Sequence, residues 1–297
     1  MHMLFTGLSA FSLTPADAEG VVDTDALGLL VDRLATAGVD SIGLLGSTGN
    51  YAYLDRAQRA RAVAAGIEAA AKRVPVIVGV GALRTSWATE LAMDAERAGA
   101  DGLLLAPVSY IAVSPAEAAA HYRAVASATA LPLCVYNNPG TTGFTFLDTL
   151  IAELATVPSI AAIKMPPPAD GDYAAELDRL RASMPKTFAI GYSGDWGAAP
   201  SLLEGGAAWY SVIAGLLPEQ ALQLTRAAQA GRRDEAEAID TAFAPLWALF
   251  KAHGSLRLMY AIADRLELPV GDPPLPLARA AGPTVIALHA ALNNLGV

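Results

Sequence analysis

The sequence predicts an α/β protein, a (β/α)₈ TIM barrel with a C-terminal helical extension. Two observations lead to this fold class. Short apolar runs alternate with longer amphipathic segments over residues 1–216, whereas residues 217–297 show helical patterns without a convincing strand. Runs that are apolar throughout are typical of strands buried on both faces, as in parallel sheets. We therefore predict a barrel over 1–216 that carries the active site and a helical extension over 217–297 packed on it.

The predicted strands are the apolar runs of the first part of the chain. Parallel strands need a long crossover between them, and the amphipathic segments between these runs can supply it. The runs are Leu4–Ala10, Ser41–Leu45, Val74–Val80, Gly102–Ala106, Leu131–Val135, Ile160–Ile163, Thr187–Ile190 and Trp209–Ile213.

Alanine-rich amphipathic segments between the strands predict the helices of the barrel. Gly38 and Gly99 each follow such a segment directly, and a strand begins just after each of them. Glycine at this place supplies the left-handed residue that ends a helix. The predicted helices are Asp25–Ala37, Leu54–Arg73, Ser86–Ala98, Pro115–Ala128, Phe146–Leu154, Tyr173–Ser183 and Gly197–Leu203.

The C-terminal extension is predicted to be helical, with a proline-rich break before its last helix. The main alternative fold is a doubly wound open sheet, whose dinucleotide-binding form carries a glycine fingerprint in its first turn. The nearest match, Val78–Arg84, lacks the last small residue of that fingerprint, so the barrel is the better interpretation. The predicted helices of the extension are Glu219–Ala230, Arg233–His253, Ser255–Arg265 and Gly282–Leu295.

Composition excludes several classes of function. The 297 residues are 54% hydrophobic and 16% charged, which favours a large core over disorder, and the net charge of −9 argues against binding to nucleic acid or to an anionic membrane. Met1–Thr14 lacks the basic region and sustained apolar stretch of a signal peptide, so we expect a cytoplasmic protein. Cys134 is the single cysteine, which excludes an intrachain disulfide and a multi-cysteine metal site.

Lys164 is the most informative single residue. It is one of four lysines and ends an apolar strand, so it should point into the mouth of the barrel. Burial disfavours the ammonium form and lowers the pKa of a lysine, which leaves a neutral amine able to attack a carbonyl carbon. The alternative is a lysine that reaches solvent or pairs with Asp195.

Other polar residues also follow predicted strands. Tyr136 ends the strand next to that of Lys164, and its phenol could transfer protons, although a buried aromatic with one satisfied hydroxyl is the simpler interpretation. Ser47 and Thr48 lie between glycines and could hold a carboxylate or phosphate with hydroxyls and backbone N–H groups. They could equally form an ordinary polar turn.

Taken together, these residues resemble the dihydrodipicolinate synthase / N-acetylneuraminate lyase family of class I aldolases. The resemblance spans the barrel, and chain length and helical tail also fit. It implies that a lysine forms a Schiff base with pyruvate or another 2-oxo acid, that a tyrosine relays protons, and that a Ser/Thr pair binds the acid's carboxylate. The matching pieces, in order, are Gly46-Ser47-Thr48-Gly49, Tyr136-Asn137 with Pro139, Ile163-Lys164 and Ser193-Gly194-Asp195.

The resemblance implies catalytic roles for Lys164, Tyr136, Ser47 and Tyr110. It further implies an enzyme without a metal or separate cofactor, with small-molecule partners, and assembled as a homotetramer or dimer in which Tyr110 acts across a subunit contact. The residues predicted to bind substrate are Ser47, Thr48, Gly49, Asn50, Asn137, Thr141, Gly194 and Tyr210.

The sequence departs from the family at the side of the site that receives the second substrate. Thr141 stands where the synthases carry an arginine for the carboxylate of their aldehyde substrate, and Asn50 stands where many members carry glutamate. We therefore expect an aldolase-type lyase acting on a 2-oxo acid and an unidentified aldehyde. The alternatives are 4-hydroxy-tetrahydrodipicolinate synthase, a sugar-acid dehydratase of the same family, and a non-catalytic barrel that binds a 2-oxo acid.

Overall fold

The computed structural model describes residues 4–297, so the first residues of the predicted N-terminal segment, Met1–Met3, lie outside it. All the strands of the sheet are parallel and form a closed barrel in chain order, with β1 pairing with both β2 and β8. The predicted (β/α)₈ barrel is thereby confirmed. The strands are β1 Gly7–Phe11, β2 Ser41–Leu44, β3 Val76–Gly79, β4 Gly102–Leu105, β5 Leu133–Tyr136, β6 Ile160–Met165, β7 Ala189–Tyr192 and β8 Ala208–Ser211.

Helices connect the strands and cover the outside of the barrel. Gly38 ends α1 in the left-handed conformation with φ 77°, and Gly99 ends α3 in the same way with φ 95°, as the sequence predicts. The helices are α1 Thr24–Ala37, α2 Arg56–Ala70, α3 Thr85–Ala98, α4 Pro115–Ala126, α5 Pro139–Thr142, α6 Asp148–Ala155, α7 Tyr173–Arg181, α8 Ala198–Leu203, α9 Pro218–Gln229, α10 Arg233–His253, α11 Ser255–Arg265 and α12 Pro283–Asn293.

The structure differs from the sequence prediction mainly at the ends of elements. β8 ends at Ser211 and not at Ile213, because the backbone N–H groups of Val212 and Ile213 donate to the Asp195 side chain instead of continuing the sheet. The single-turn helix α5 and the 3₁₀ turn at Asp195–Gly197 are not predicted. Both follow strands directly, where the chain turns sharply and no periodic pattern can develop.

The C-terminal helices pack on one another and on the barrel. Helix α9 contacts β1, α8 and α10, and α10 in turn contacts the Asp195–Gly197 turn that follows β7. Because α9 belongs to both layers, the division into 1–216 and 217–297 stays a prediction. No helix within residues 4–297 combines the length and apolar character needed to cross a membrane.

Candidate active site

A cavity of about 290 Å³ opens at the carboxyl ends of the barrel strands. Strands β5 and β6 and the segments that follow β2 and β7 supply its inner wall, and residues of α10 and α11 supply part of its outer wall. Carboxyl ends of barrel strands are where catalytic groups collect in this fold. The lining residues are Ser47, Thr48, Tyr136, Asn138, Thr141, Lys164, Pro166, Pro167, Ser193, Gly194, Asp195, Trp196, Val212, Phe250, Ser255 and Leu256.

Lys164 lies at the inner end of this cavity and is only 7% exposed. Its place in the register is opposite Tyr136 on one side and Gly191 on the other. Burial lowers the pKa of Lys164, and the neighbouring Tyr136 and Asp195 oppose part of that shift. Its burial argues against a lysine that reaches solvent, and within the described residues it forms no ion pair with Asp195.

The amine of Lys164 rests on the ring of Phe11, with its Nζ atom 4.1 Å from the ring centroid. Phe11 fits there because the chain has glycine at two neighbouring positions. A Cβ at Gly43 or at Gly46 would lie 2.5 Å from a carbon of the Phe11 ring. The apolar floor explains how a lysine can be buried without a counter-ion in contact. Sequence reasoning missed Phe11, which directly follows the predicted first strand.

The Tyr136 hydroxyl is the second functional group in the cavity. It lies 3.1 Å from the Ser47 hydroxyl and accepts a hydrogen bond from the Asn138 amide at 3.0 Å. Burial raises the pKa of the Tyr136 phenol, but the charge of Lys164 and the surrounding hydrogen bonds outweigh burial and bring the pKa below its ordinary value. The hydroxyl can therefore give up and recover a proton more readily than an ordinary tyrosine.

Asp195 is almost fully buried, at 2% exposure, and faces the same cavity. Its carboxylate accepts hydrogen bonds from the Trp209 indole at 3.0 Å and from the backbone N–H groups of Val212 at 3.1 Å and Ile213 at 2.8 Å. Burial raises the pKa of Asp195, and these hydrogen bonds oppose the rise. They fix the carboxylate to β8, so its negative charge acts on Lys164 without a direct bond.

The structure brings most of the predicted residues together. Ser47, Thr48, Thr141 and Gly194 line the cavity with Lys164 and Tyr136. Tyr210 is 1% exposed beneath the site, with its ring centroid 5.6 Å from the Lys164 Nζ atom and its hydroxyl near the Cys134 thiol. It packs against the lysine but does not line the cavity.

Other predicted residues lie outside the cavity. Tyr110 is 92% exposed on the loop after β4 and touches none of the inner-wall groups in this single chain. The Asn50 amide donates to the Tyr260 hydroxyl at 2.6 Å, which ties the loop after β2 to α11. Gly49 packs beneath that loop against Leu45, and the Asn137 amide donates towards the Met165 sulfur.

The outer wall was not predicted from the sequence. Trp196 follows Asp195 directly, whereas Phe250, Ser255 and Leu256 come from the end of α10 and the start of α11. These residues are far from the inner wall in sequence, so only the tertiary packing of the C-terminal helices brings them to the site.

A larger cavity of about 500 Å³ lies between α2 and α3, outside the barrel. The guanidinium of Arg59 at its base donates to the backbone carbonyls of Gly79 and Gly81, and so joins α2 to the strand end. No buried amine, thiol or histidine lines this cavity. Among residues 4–297, no group of His, Cys, Asp and Glu side chains is arranged to hold a metal ion.

An eight-stranded parallel barrel with a buried lysine beside a tyrosine, both at the carboxyl ends of their strands, defines the class of protein as a class I aldolase type of lyase. The comparisons with known proteins then give the family. The Dihydrodipicolinate synthetase family model matches residues 4–294, and the chain belongs to that family.

Individual relatives agree along nearly the whole length. The chain is 33% identical over 296 residues to the 4-hydroxy-tetrahydrodipicolinate synthase of Pseudomonas savastanoi pv. phaseolicola, covering 99% of each chain. It is 32% identical to 4-hydroxy-tetrahydrodipicolinate synthase 1 of Streptomyces coelicolor over 286 residues, covering 95% of this chain and 92% of that relative. A crystal structure of dihydrodipicolinate synthase from Agrobacterium tumefaciens superposes with a TM-score of 0.97 at 55% identity, covering 98% of both chains.

Proposed function

We propose that the protein is an aldolase-type lyase that forms a Schiff base between Lys164 and pyruvate or another 2-oxo acid. The observation that carries this proposal is the buried Lys164 amine, which has a pKa lowered by burial and lies 4.9 Å from the centroid of the Tyr136 ring. A scaffold or a simple binding protein gains nothing from burying an amine in this way, because burial of an ionisable group costs free energy.

The proposed reaction uses only groups that line the cavity. The Lys164 nitrogen attacks the ketone carbon of the 2-oxo acid, and Tyr136 protonates the hydroxyl that leaves as water, which gives a protonated imine. The Tyr136 phenolate takes a proton from the adjacent carbon, which produces an enamine. The enamine carbon attacks an aldehyde, whose oxygen takes the proton back from Tyr136. Water then hydrolyses the protonated imine, which releases the product and the Lys164 amine and returns a proton to Tyr136. No separate cofactor enters this scheme.

Ser47 and Thr48 are proposed to hold the carboxylate of the 2-oxo acid. They lie in the loop after β2, which begins with Leu45 in the left-handed conformation with φ 54° and continues through Gly46. The Ser47 hydroxyl already contacts the Tyr136 hydroxyl, so one hydroxyl can link the bound carboxylate to the proton-transferring group. Gly194, which also lines the cavity, has φ 75°, and a Cβ there would lie 2.7 Å from the Pro167 Cγ atom, so this position calls for glycine.

The relatives are named as synthases, and 4-hydroxy-tetrahydrodipicolinate synthase is the alternative within the same mechanism. Thr141 argues against an efficient synthase, because it offers one neutral hydroxyl where the aldehyde's carboxylate calls for a guanidinium. Turnover of pyruvate with aspartate semialdehyde at a kcat/KM of about 10⁴ M⁻¹s⁻¹ or above would overturn this view.

We also propose a location and an oligomeric state for the enzyme. The location is the cytoplasm, as the sequence predicts. The oligomer is a homotetramer or homodimer, because Tyr110 at 92% exposure and Ile111 at 73% exposure stand out from the loop after β4 as a subunit contact would require. In such an assembly the Tyr110 hydroxyl of one protomer reaches the site of its partner. We also propose that residues 217–297 form a helical layer that completes the outer wall of the site.

Borohydride reduction in the presence of pyruvate tests the proposed mechanism. We expect one reduced pyruvyl group per chain, located on the Lys164 peptide by mass spectrometry. Lys164→Met should abolish labelling, because it removes the amine and keeps most of the volume. Lys186→Met is the matched control, since Lys186 is exposed just before β7 at the opposite end of the barrel, and it should label normally. Labelling of another lysine, or none with any 2-oxo acid, contradicts the proposal.

A further inference from the structure

The short helix α5 holds Asn138 beside the Tyr136 hydroxyl. Asn138 directly precedes α5, and its backbone carbonyl accepts hydrogen bonds of 3.0 Å from the N–H groups of Thr141 and Thr142. The Thr142 hydroxyl donates to the same carbonyl at 3.0 Å. Asparagine commonly caps a helix at this position, but the Asn138 side chain does not bond to the N–H groups of α5, all of which the structure describes. The backbone of Asn138 is therefore fixed while its amide serves another partner.

That partner is the Tyr136 oxygen. The Asn138 Nδ2 atom donates to it at 3.0 Å, and both residues line the active-site cavity. The N–H groups of an amide can donate a hydrogen bond but cannot accept one. The proton of the Tyr136 phenol is therefore directed away from Asn138, towards the side where the Ser47 hydroxyl lies 3.1 Å away and the cavity opens. The contact thus gives a direction to the hydrogen bonds at this hydroxyl.

The same contact acts on the charge that Tyr136 carries once its proton has left. A hydrogen bond to an ionised acceptor is stronger than one to a neutral acceptor. Burial raises the pKa of the Tyr136 phenol, whereas the charge of Lys164 and the hydrogen bonds with Ser47, Asn138 and Thr141 bring it below its ordinary value. A hydroxyl can rotate and accept instead of donating, but the amide nitrogen only donates. Asn138 is therefore the partner whose polarity stays the same throughout the reaction.

We propose that Asn138 is a positioning residue for proton transfer: its amide directs the phenol proton of Tyr136 towards the substrate and stabilises the phenolate that forms when this proton leaves. The proton goes to the departing hydroxyl of the carbinolamine, and the phenolate recovers one from the carbon next to the imine. The inference rests on the proposed function and adds a residue that is absent from the site predicted from the sequence.

The first test compares side chains at position 138 in the exchange of pyruvate methyl protons with deuterated solvent, which needs only the Schiff base and its enamine. Pyruvate is saturating, so that repulsion of the 2-oxo acid by a new charge does not enter the comparison. Asn138→Leu keeps most of the volume and removes the donor, and exchange should slow by about tenfold or more. Asn138→Asp keeps the shape but replaces the donor by an acceptor, and exchange should slow further.

A merely structural role for Asn138 gives the opposite order of these two variants. Aspartate suits the position before a helix as well as asparagine does, so Asn138→Asp would then exchange like the parent and only Asn138→Leu would be slow. That order of rates would overturn the proposal.

The second test follows ionisation of the phenol itself. The ultraviolet absorbance of each protein is titrated with base and compared with that of the same protein carrying Tyr136→Phe, so that the difference reports Tyr136. Asn138→Leu should move the midpoint to higher pH, and the basic limb of the exchange rate should move with it, because the phenolate has lost a donor. An unchanged midpoint would contradict the proposed stabilisation of the phenolate.

Thr142→Val is the matched control, since it loosens α5 without changing a group at the Tyr136 oxygen. Thr142 does not line the cavity, and its hydroxyl donates to the backbone of Asn138. The variant should be less stable than the parent but keep its exchange rate and its phenol titration. If Thr142→Val slows exchange as much as Asn138→Leu does, the effect belongs to the helix and not to the amide, and the proposal is wrong.

A double variant shows whether Asn138 acts through Tyr136. In the Tyr136→Phe background, Asn138→Leu should change the remaining exchange rate little, because the group on which the amide acts is already absent. A second loss of tenfold in that background would place the effect of Asn138 elsewhere and overturn its role in proton transfer.

Borohydride labelling separates this inference from the proposed function. If pyruvate labels Lys164 in the parent while the Asn138 variants keep the parent's exchange rate and phenol titration, the role of Asn138 is wrong and the Schiff-base mechanism stands. If pyruvate does not label Lys164, the mechanism itself is wrong and the inference about Asn138 fails with it.

Discussion

Replacement of Tyr136 by phenylalanine removes one oxygen atom from the centre of the site and separates stability from catalysis. The ring stays in place over β5, because Tyr136 is 4% exposed and its packing does not depend on the hydroxyl. What is lost is the contact with Ser47 at 3.1 Å and the hydrogen bond from Asn138 at 3.0 Å. Both partners belong to partly exposed residues that can bond to water instead, so the free energy of unfolding should fall by only about 1 kcal/mol.

The effect on the reaction should be much larger. If the hydroxyl protonates the leaving water, its loss slows imine formation by about 10²–10⁴-fold, which is a barrier increase of about 3–5 kcal/mol. Exchange of the pyruvate methyl protons with deuterated solvent measures this without any second substrate, because the enamine regains a deuteron each time it returns to the imine. Loss of the methyl signal in proton NMR gives the rate.

Tyr122→Phe is the matched control. Tyr122 is fully buried and does not line the cavity. Its hydroxyl donates a hydrogen bond of 2.6 Å to the Leu105 carbonyl. Removing that hydroxyl should lower stability at least as much as Tyr136→Phe does but leave the exchange rate near that of the parent. An exchange rate in Tyr136→Phe within a few-fold of the parent would refute a proton-transfer role and make Tyr136 a packing residue.

Three further predictions concern the surroundings of Lys164. Burial lowers the pKa of Lys164 in the folded protein, so between the folded and unfolded pKa values the unfolded chain binds more protons. Lys164→Met should therefore be more stable than the parent below the folded-state pKa. Thermal melts should show this gain in stability shrinking as the pH rises towards the ordinary lysine pKa and vanishing above it. Asp195→Asn turns an amide towards N–H donors and should destabilise by about 2–4 kcal/mol in denaturant unfolding, while Asp240→Asn, with its single bond from Trp247, should cost clearly less. Gly43→Ala should displace Phe11 and reduce borohydride labelling, whereas Gly28→Ala, with its nearest neighbour at 3.9 Å, should label like the parent; equal labelling of both variants would contradict the proposed floor.

The inner half of the site could be predicted from the sequence because topology alone brings it together. In a parallel barrel every strand ends at the same rim, so residues that directly follow strands become neighbours whatever their separation along the chain. Lys164 and Tyr136, on adjacent strands, meet for this reason, and Ser47 joins them from β2. The role of Asn50 stays a prediction: its side chain bonds to Tyr260, on a helix that the strand pattern does not place.

The outer half could not be predicted because no local pattern encodes it. Phe250 and Leu256 belong to amphipathic helices whose apolar faces look the same in sequence whether they cover the core or a cavity. Phe11 could be predicted only in part from the sequence. Gly43 and Gly46 indicate that a large side chain packs against them, but only the register of the folded strands shows that this side chain is Phe11. Such residues are set by packing between distant elements, and packing is not periodic.

The electrostatics of the inner site meet two requirements that conflict in a free lysine. Attack on a ketone needs a neutral amine, whereas the imine that follows must carry a positive charge to draw electrons from the adjacent carbon. Burial favours the first state, whereas the face of the Phe11 ring and the fixed carboxylate of Asp195 favour the second. A direct ion pair would hold the ammonium form too strongly for attack. Because Trp209 and the backbone just after β8 hold Asp195 in place, its charge acts on Lys164 through space, strongly enough to favour the protonated imine and weakly enough to release the free amine.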